Sequence, residues 1–410
     1  MNTASFKKWG MTKITDVSKF IRGVSYKKED STIDSNTDYM TILRANNICN
    51  GKLELEELIR VPKKYVKEEQ MLREGDVLIA MSSGSRSVVG KAVTIRGSIS
   101  ASFGTFCGVL RPSKGLLPEY FGYFFQSAEY RNAISNMAAG VNINNIKISH
   151  FDAILIPIPS LDEQKRIVAR LDQLLARVDS CRAHLDRAAA AIKRFRQSVL
   201  NAAVTGALNQ SNFDKWQLFS LEQIGTLARG KSKHRPRNEP KLYGGPYPFI
   251  QTGDIANSGG RITSHKQTYS EEGLKQSKLF PAGTLCITIA ANIADTAILT
   301  YPACFPDSVV GFIADNKVAL NRFIQFAIDA NKTLLDELAT ATAQKNINLS
   351  TFQKFKFRAP LVEEQVEIVM KAETLLNKAD EIESKLTAAR ERVDNLTASI
   401  LAKAFRGELL

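Results

Sequence analysis

One long segment of the chain occurs twice, and any admissible fold must repeat with it. The first copy begins Pro157-Ile-Pro-Ser-Leu-Asp-Glu-Gln-Lys-Arg-Ile-Val and closes on Gly206-Ala-Leu. The second begins Arg358-Ala-Pro-Leu-Val-Glu-Glu-Gln-Val-Glu-Ile-Val and closes on Gly407-Glu-Leu. At a constant offset of 201 residues, without a gap, the copies match at Pro159/Pro360, Glu163/Glu364, Gln164/Gln365, Ile167/Ile368, Leu174/Leu375, Asp179/Asp380, Leu185/Leu386 and Gly206/Gly407. Self-similarity of this length and register is an internal duplication.

Within each copy the apolar positions have helical spacing. Ile167, Leu171, Leu174, Val178, Cys181, Leu185, Ala188, Ile192, Phe195, Val199 and Ala202 step by four and three, the seam of a coiled coil. In the second copy the seam runs through Ile368, Ala372, Leu375, Ala379, Ile382, Leu386, Ala389, Val393, Leu396 and Ile400, and breaks at Lys403. Ser160-x-x-Glu163 predicts a capping box, for which the second copy has Leu361 in place of the serine. Gly206 and Gly407 predict the two helix ends. Each helix is thus about 42 residues long, roughly 60 Å. Neither buries its seam alone, so the two are expected to pair.

The residues outside the helices suffice for two globular segments, 1–156 before the first helical segment (157–208) and 209–357 before the second (358–410). They share a plan. Trp216 to Gly230 matches Trp9 to Gly23 in spacing, and strands are expected at Ile42 and Pro248–Ile255, and at Val77 and Pro281–Ile289. Phe103–Leu110 reads as a further strand, Leu117–Met137 and Arg322–Ala341 as helical, and Asn142-Ile-Asn and Asn346-Ile-Asn precede the long helices. The helices keep their register while the globular halves diverge, so one frame presents two different surfaces. An antiparallel helix pair would relate those surfaces by a pseudo-two-fold axis.

The chain has 55 Lys and Arg against 42 Asp and Glu, a net charge of +13, which favours a polyanionic partner. Five scattered cysteines and four histidines without metal-ligand spacing speak against a disulfide framework and a zinc site. No leader-like apolar core or membrane-length run is present, so a cytoplasmic location is expected.

Several segments carry side chains suited to nucleic acid. Arg22, Lys27 and Lys28 follow the first apolar stretch; Arg229, Lys231, Lys233, Arg235 and Arg237 crowd a proline-broken loop suited to phosphates. Ser83, Ser85, Arg86 and Asn292 sit in turns after buried strands, where Arg and Asn can read base edges. Asn142, Asn144, Gln344, Lys345 and Asn346 are candidates of the same kind. Two enzyme motifs are weaker. Gly225-x-x-x-x-Gly230-Lys231-Ser232 fits the phosphate-loop pattern, but the prolines that follow prevent the helix such a loop requires. Pro306-Asp307 with Asp315-Asn-Lys317 resembles a nuclease metal motif that the first segment lacks. No metal site is expected.

The Pro-x-Leu-x-Glu-Gln-x-x-Ile-Val pattern ending at Val168, its second copy at Pro360 to Val369 with Val362 in place of the leucine, and the closing Gly206-Ala-Leu and Gly407-Glu-Leu resemble the specificity subunit of type I restriction-modification systems. The resemblance implies an α+β chain: two mixed α/β target recognition domains separated by two long helices pairing as an antiparallel coiled coil. It implies a non-catalytic, DNA-binding subunit that reads a bipartite site, joins two methyltransferase subunits and, where present, restriction subunits, and leaves S-adenosylmethionine, ATP and magnesium to those partners. Helix length would then fix the gap between half-sites. Glu163, Gln164, Ile167, Leu171, Leu174, Leu185, Glu364, Gln365, Ile368, Leu375 and Leu386 are the residues assigned to helix pairing or partner contact. The competing readings are a coiled-coil adaptor without DNA specificity, and a nuclease or nucleotide hydrolase.

Overall fold

The computed structural model describes residues 9–34, 37–49, 51–83, 88–139, 145–234, 236, 238–290, 293–340 and 355–410. The chain divides into two units, residues 1–185 with 388–410 and residues 186–387. The long helices span Leu161–Val204 and Val362–Arg406, so the division crosses both, and each unit holds one globular domain and one half of each helix.

In the first unit an antiparallel sheet has the order Ser18–Arg22, Cys107–Pro112, Val77–Ala80, Ala92–Thr94. Every residue of Val77–Ala80 is buried, which is why this strand is an unbroken apolar run rather than an alternation. A second sheet sets Tyr39–Leu43 between Ile59–Pro62, antiparallel, and Ala101–Phe103, parallel. Gly10–Lys13 pairs with Leu155–Ile158, tying the start of the domain to the strand that leads into the long helix.

The second unit repeats this frame. Its main sheet has the order Gly225–Arg229, Val309–Ala314, Leu285–Thr288, Thr296–Leu299, Arg261–Ile262, and Gln217–Ser220 pairs with Lys356–Ala359 as the tie to the second helix. Two sequence expectations need correction. Phe103–Leu110 is two strands joined by a turn at Gly104–Cys107, concealed in the sequence by apolar residues on both sides. Pro248–Ile255 is strand only as far as Phe249; Thr252–Ala256 is helical, because the Asp254 carboxylate accepts the Gln251 amide and caps a turn there.

Each helix is joined to its own domain by one buried glutamine. In the first unit Gln164 Oε1 accepts the Leu117 amide at 2.7 Å while Nε2 donates to the carbonyls of Pro159 at 3.0 Å and Gly115 at 3.4 Å. In the second, Gln365 accepts from Leu320 N at 3.0 Å and donates to Pro360 O and Val318 O at 2.9 and 3.0 Å. Both residues are fully buried. Assigned from the sequence to helix pairing or partner contact, they instead fasten helix to domain, since the oxygen and both N–H donors of each are engaged inside its own unit.

Below that staple the helices pair. Ile167 and Leu171 share a core with Leu401, Ala404 and Phe405 in the first unit, and Ile368 and Ala372 with Val199 and Ala203 in the second. Leu174, Leu185, Leu375 and Leu386 are half-buried along the same faces. In the first unit Arg182 donates to Asp394 at 3.0 and 2.9 Å and to Thr397 at 3.1 Å; in the second Arg196 donates to Asp380, and to Glu383 at 2.7 Å. Within each unit the partner's number falls as the helix number rises, so the halves run antiparallel.

The covered face departs from the expected seam at equivalent places in both copies. Cys181 is exposed, as are Phe195 at 39%, Ile382 at 45% and Leu396 at 51%, and the half-buried neighbours Arg182, Arg196 and Thr397 do the bridging. A straight helix of 3.6 residues per turn drifts about 20° per heptad from a strict seven-residue repeat, so the stripe that meets the partner moves to the next residue. The same shift removes the break at Lys403: that residue points outward, while Ala404 and Phe405 are buried, Phe405 against Tyr120 and Phe124 with ring centroids 5.2 and 5.3 Å away. Ser160 and Glu163 form the predicted capping box. In the second copy Glu364 instead accepts from the Ser211 hydroxyl. Gly206 and Gly407 end the helices at φ +77° and +78°, a left-handed conformation that glycine adopts without steric cost.

Candidate nucleic-acid interface

In each unit three loops emerge at one end of the main sheet and are bonded together there. In the first, Arg22 is the last residue of its strand and lies opposite Gly108, near the start of the next, which in turn faces Ile79 near the end of the third. The chain after Arg22 turns closely over the Gly104–Cys107 turn: Val24 N donates to Phe103 O at 2.7 Å, and a Cβ at Gly23 would lie 2.0 Å from Gly104 O. Met81 N and Ser82 N both donate to Phe106 O, at 2.8 and 3.2 Å. Ile146 N donates to Met81 O, and an isolated bridge between Ser82 and Asn145 brings in the segment just before the short helix Ile148–Phe151.

The second unit reproduces these bonds. Lys231 N donates to Phe305 O at 3.1 Å, Gly230 N to Val309 O at 2.9 Å, and Ile289 N to Ser308 O at 3.0 Å. A Cβ at Gly230 would come within 2.3 Å of Pro306 O. The glycine shared by the two copies is therefore explained: any side chain there would strike the turn opposite. This close approach also explains the false phosphate-loop signature. Gly225–Arg229 is a strand, not a loop, Gly230 is packed on the turn and Ser232 is buried.

The sheet end brings together part of what the sequence singled out. Arg22, Lys27 and Lys28 are exposed on the first loop of unit one, Lys27 paired with Glu29 at 3.5 Å in an exposed contact worth little. Ser83, half-buried, follows the bonded Ser82. In unit two Arg229, Lys231 and Lys233 are exposed, and Arg229 Nε donates to the carbonyl of Asp307. Ser85, Arg86, Asn142, Asn144, Arg235, Arg237, Asn292, Gln344, Lys345 and Asn346 lie outside the described residues. The turns Gly104–Cys107 and Pro306–Val309, central to the bonded loops, were missed: the first reads as strand, and Pro306-Asp307 reads as part of a nuclease-like motif. Their signal was the glycine or proline that opens each.

Burial pushes the Cys107 thiol up to about 12 and raises those of Cys286 and Cys304, so these are not thiolate nucleophiles near neutral pH. Asp307 lies in the turn before the strand Val309–Ala314 and Asp315 follows the strand, so six extended residues, about 20 Å, lie between them. They cannot hold one metal ion together, and among the described residues no group of three acidic, His or Cys side chains could hold one.

Residues 6–186 and 213–391, one stretch in each half of the duplication, match the family described as the type I restriction modification DNA specificity domain. The chain belongs to this family. Among its curated relatives, the StySPI specificity subunit of Salmonella potsdam is 39% identical over 98% of this chain and 89% of its own length. The EcoKI specificity subunit of Escherichia coli K12 is 37% identical over the same shares. A chain from a structure concerning complex assembly and conformational transition of the type I R-M system matches at TM-score 0.78 and 18% identity over 98% of both chains. The HsdS subunit of Thermoanaerobacter tengcongensis matches at TM-score 0.55, also at 18% identity, over 98% of this chain and 97% of its own. The specificity subunit fold is thus shared with solved relatives at low identity, and the family's role is one of specificity rather than catalysis. Among the described residues no helix is long and apolar enough to cross a membrane.

Proposed function

We propose that this specificity subunit reads a split DNA sequence through the two sheet ends, one half-site per domain, and holds methyltransferase subunits, and restriction subunits where present, in position on that DNA. The observation that carries this reading is the shared bonding of loops at one sheet end in both units, which supports different exposed side chains on the same backbone frame. A frame kept while its presented residues change suits two unlike half-sites. Exposed Arg229, Lys231 and Lys233, with Arg22, Lys27 and Lys28, neutralise phosphates and set register, while neighbouring loop side chains discriminate base edges. Candidates outside the described residues, Arg86 and Asn292 among them, belong to the same proposal. S-adenosylmethionine, ATP and magnesium are assigned to the partner subunits.

Co-expression with the cognate methyltransferase subunit, followed by single-molecule mapping of methylated adenine across the host genome, tests this. The expected outcome is a split motif with a fixed unspecified gap, one half changing when the first domain is replaced and the other when the second is. A stable complex that methylates no defined motif would favour an adaptor without DNA specificity.

A further inference from the structure

At the centre of the first sheet end stands an aromatic ring that neither the core nor the phosphate chemistry uses. Phe106 is 67% exposed, whereas Phe103, three residues before it, is fully buried. It sits on the tight turn Gly104–Cys107, closed by the Cys107 amide donating to Gly104 O at 2.9 Å. Its carbonyl receives two amides from the neighbouring loop, and Gly23 packs on the turn from the other side. The backbone beneath the ring is therefore fixed.

The second unit builds the same turn at Pro306–Val309, closed by Val309 N to Pro306 O at 3.0 Å, and there Ser308 takes the place of Phe106, its carbonyl receiving Ile289 N. One framework thus presents a ring in one unit and a hydroxyl in the other. A mainly apolar ring held out on a polar, basic edge has no hydrogen bond to offer. On the major-groove face of DNA the apolar group available to it is the C5-methyl of thymine.

We propose that Phe106 is a specificity-determining residue of the first half-site, its ring packing on a thymine C5-methyl in the major groove. This rests on the DNA-reading function proposed above. Insertion of the ring between base pairs is the competing use, and it requires the duplex to be unstacked and kinked.

The test uses the full complex with its methyltransferase subunit. Phe106→Ser installs the residue that the second unit carries, and Phe106→Leu retains an apolar group. The Ser variant is expected to relax one A·T position in the half-site of the first domain and to weaken binding of the cognate duplex about tenfold, within the usual cost of one mismatched base pair. The other half-site and the gap stay unchanged, which shows that the complex has assembled, and the Leu variant retains most of the preference. Replacing the contacted thymine by deoxyuridine is expected to weaken wild-type binding to a similar extent and to add nothing to Phe106→Ser. An unchanged motif in the Ser variant overturns the role of Phe106 alone. So does a loss on Phe106→Ser with no effect of deoxyuridine at any thymine of the half-site, which would indicate insertion. A wild-type complex that methylates no split motif overturns this role together with the function on which it rests.

Discussion

Replacing Gln164 with Leu tests whether a single amide fastens the first long helix to its domain. Leucine approximates the volume of glutamine but offers neither donor nor acceptor. The substitution strands the Leu117 amide, now bonded at 2.7 Å, and loses a donor to the Pro159 carbonyl at 3.0 Å; the bond to Gly115 at 3.4 Å adds less. A buried polar group left unpaired costs about 1–3 kcal/mol, and two of them, offset by the better burial of an apolar side chain, give a net loss of about 3 kcal/mol. The two tryptophans provide the assay, because Trp9 lies in the first unit and Trp216 in the second. With Trp216→Phe as background, Trp9 fluorescence follows the first unit in urea. A slope of about 3 kcal/mol per molar for a domain of this size predicts that the midpoint falls by about 1 M. Gln365→Leu should produce a comparable loss in the second unit, followed by Trp216 in a Trp9→Phe background, because the bonds are the same. If the midpoint of the affected unit moves by less than about 0.2 M, the three bonds contribute nothing net and the staple is refuted.

Three further outcomes follow from particular contacts. Arg111→Met leaves the buried Asp76 carboxylate without its bidentate partner at 2.7 and 2.8 Å, and the first unit should lose about 3–5 kcal/mol, read from the same urea transition; adding Asp76→Asn should recover much of that loss. Asp329 is held at a pKa of about 6 by burial, against the opposing effects of the Thr296 hydroxyl at 2.6 Å and of Arg322 and Lys332. Its folded pKa lies above its unfolded one, so its contribution is fully present below about pH 4 and lost as the pH rises through 6, on the order of 3 kcal/mol. Asp329→Asn should remove that slope from a plot of midpoint against pH. Replacing Arg229 and Lys231 with Ala should weaken DNA binding by the complex across sequences and reduce the slope of log affinity against log salt by about 2; an unchanged slope would place these residues away from phosphate.

The candidate interface was legible in the sequence only in part. The basic loop after Arg229 and the polar turn after Val77–Ala80 stand out as composition, because charge and glycine interrupt apolar runs. That the loops after Arg22 and after Ala80 meet on one turn is a long-range fact, created by the pairing of Cys107–Pro112 with strands on both sides. Phe106 illustrates the limit. A phenylalanine between Thr105 and Cys107 reads as core strand, and only the turn at Gly104 directs it outward.

The sequence by itself determined the duplication, the two long helices, their capping and stop signals, the repeated domain plan and the family, all of which are written in local periodicity and in a constant offset between copies. The tertiary structure decided the rest. The glutamines repeated in both copies face inward because the start of each helix is pressed against its domain, where buried amides and carbonyls require a partner. The helix seam moves from Cys181 and Phe195 to Arg182 and Arg196 because a helical period of 3.6 does not match a repeat of seven, so the covered face depends on where the partner lies. Spacing along a chain specifies which side chains share a stripe; what covers that stripe is fixed only when distant segments meet.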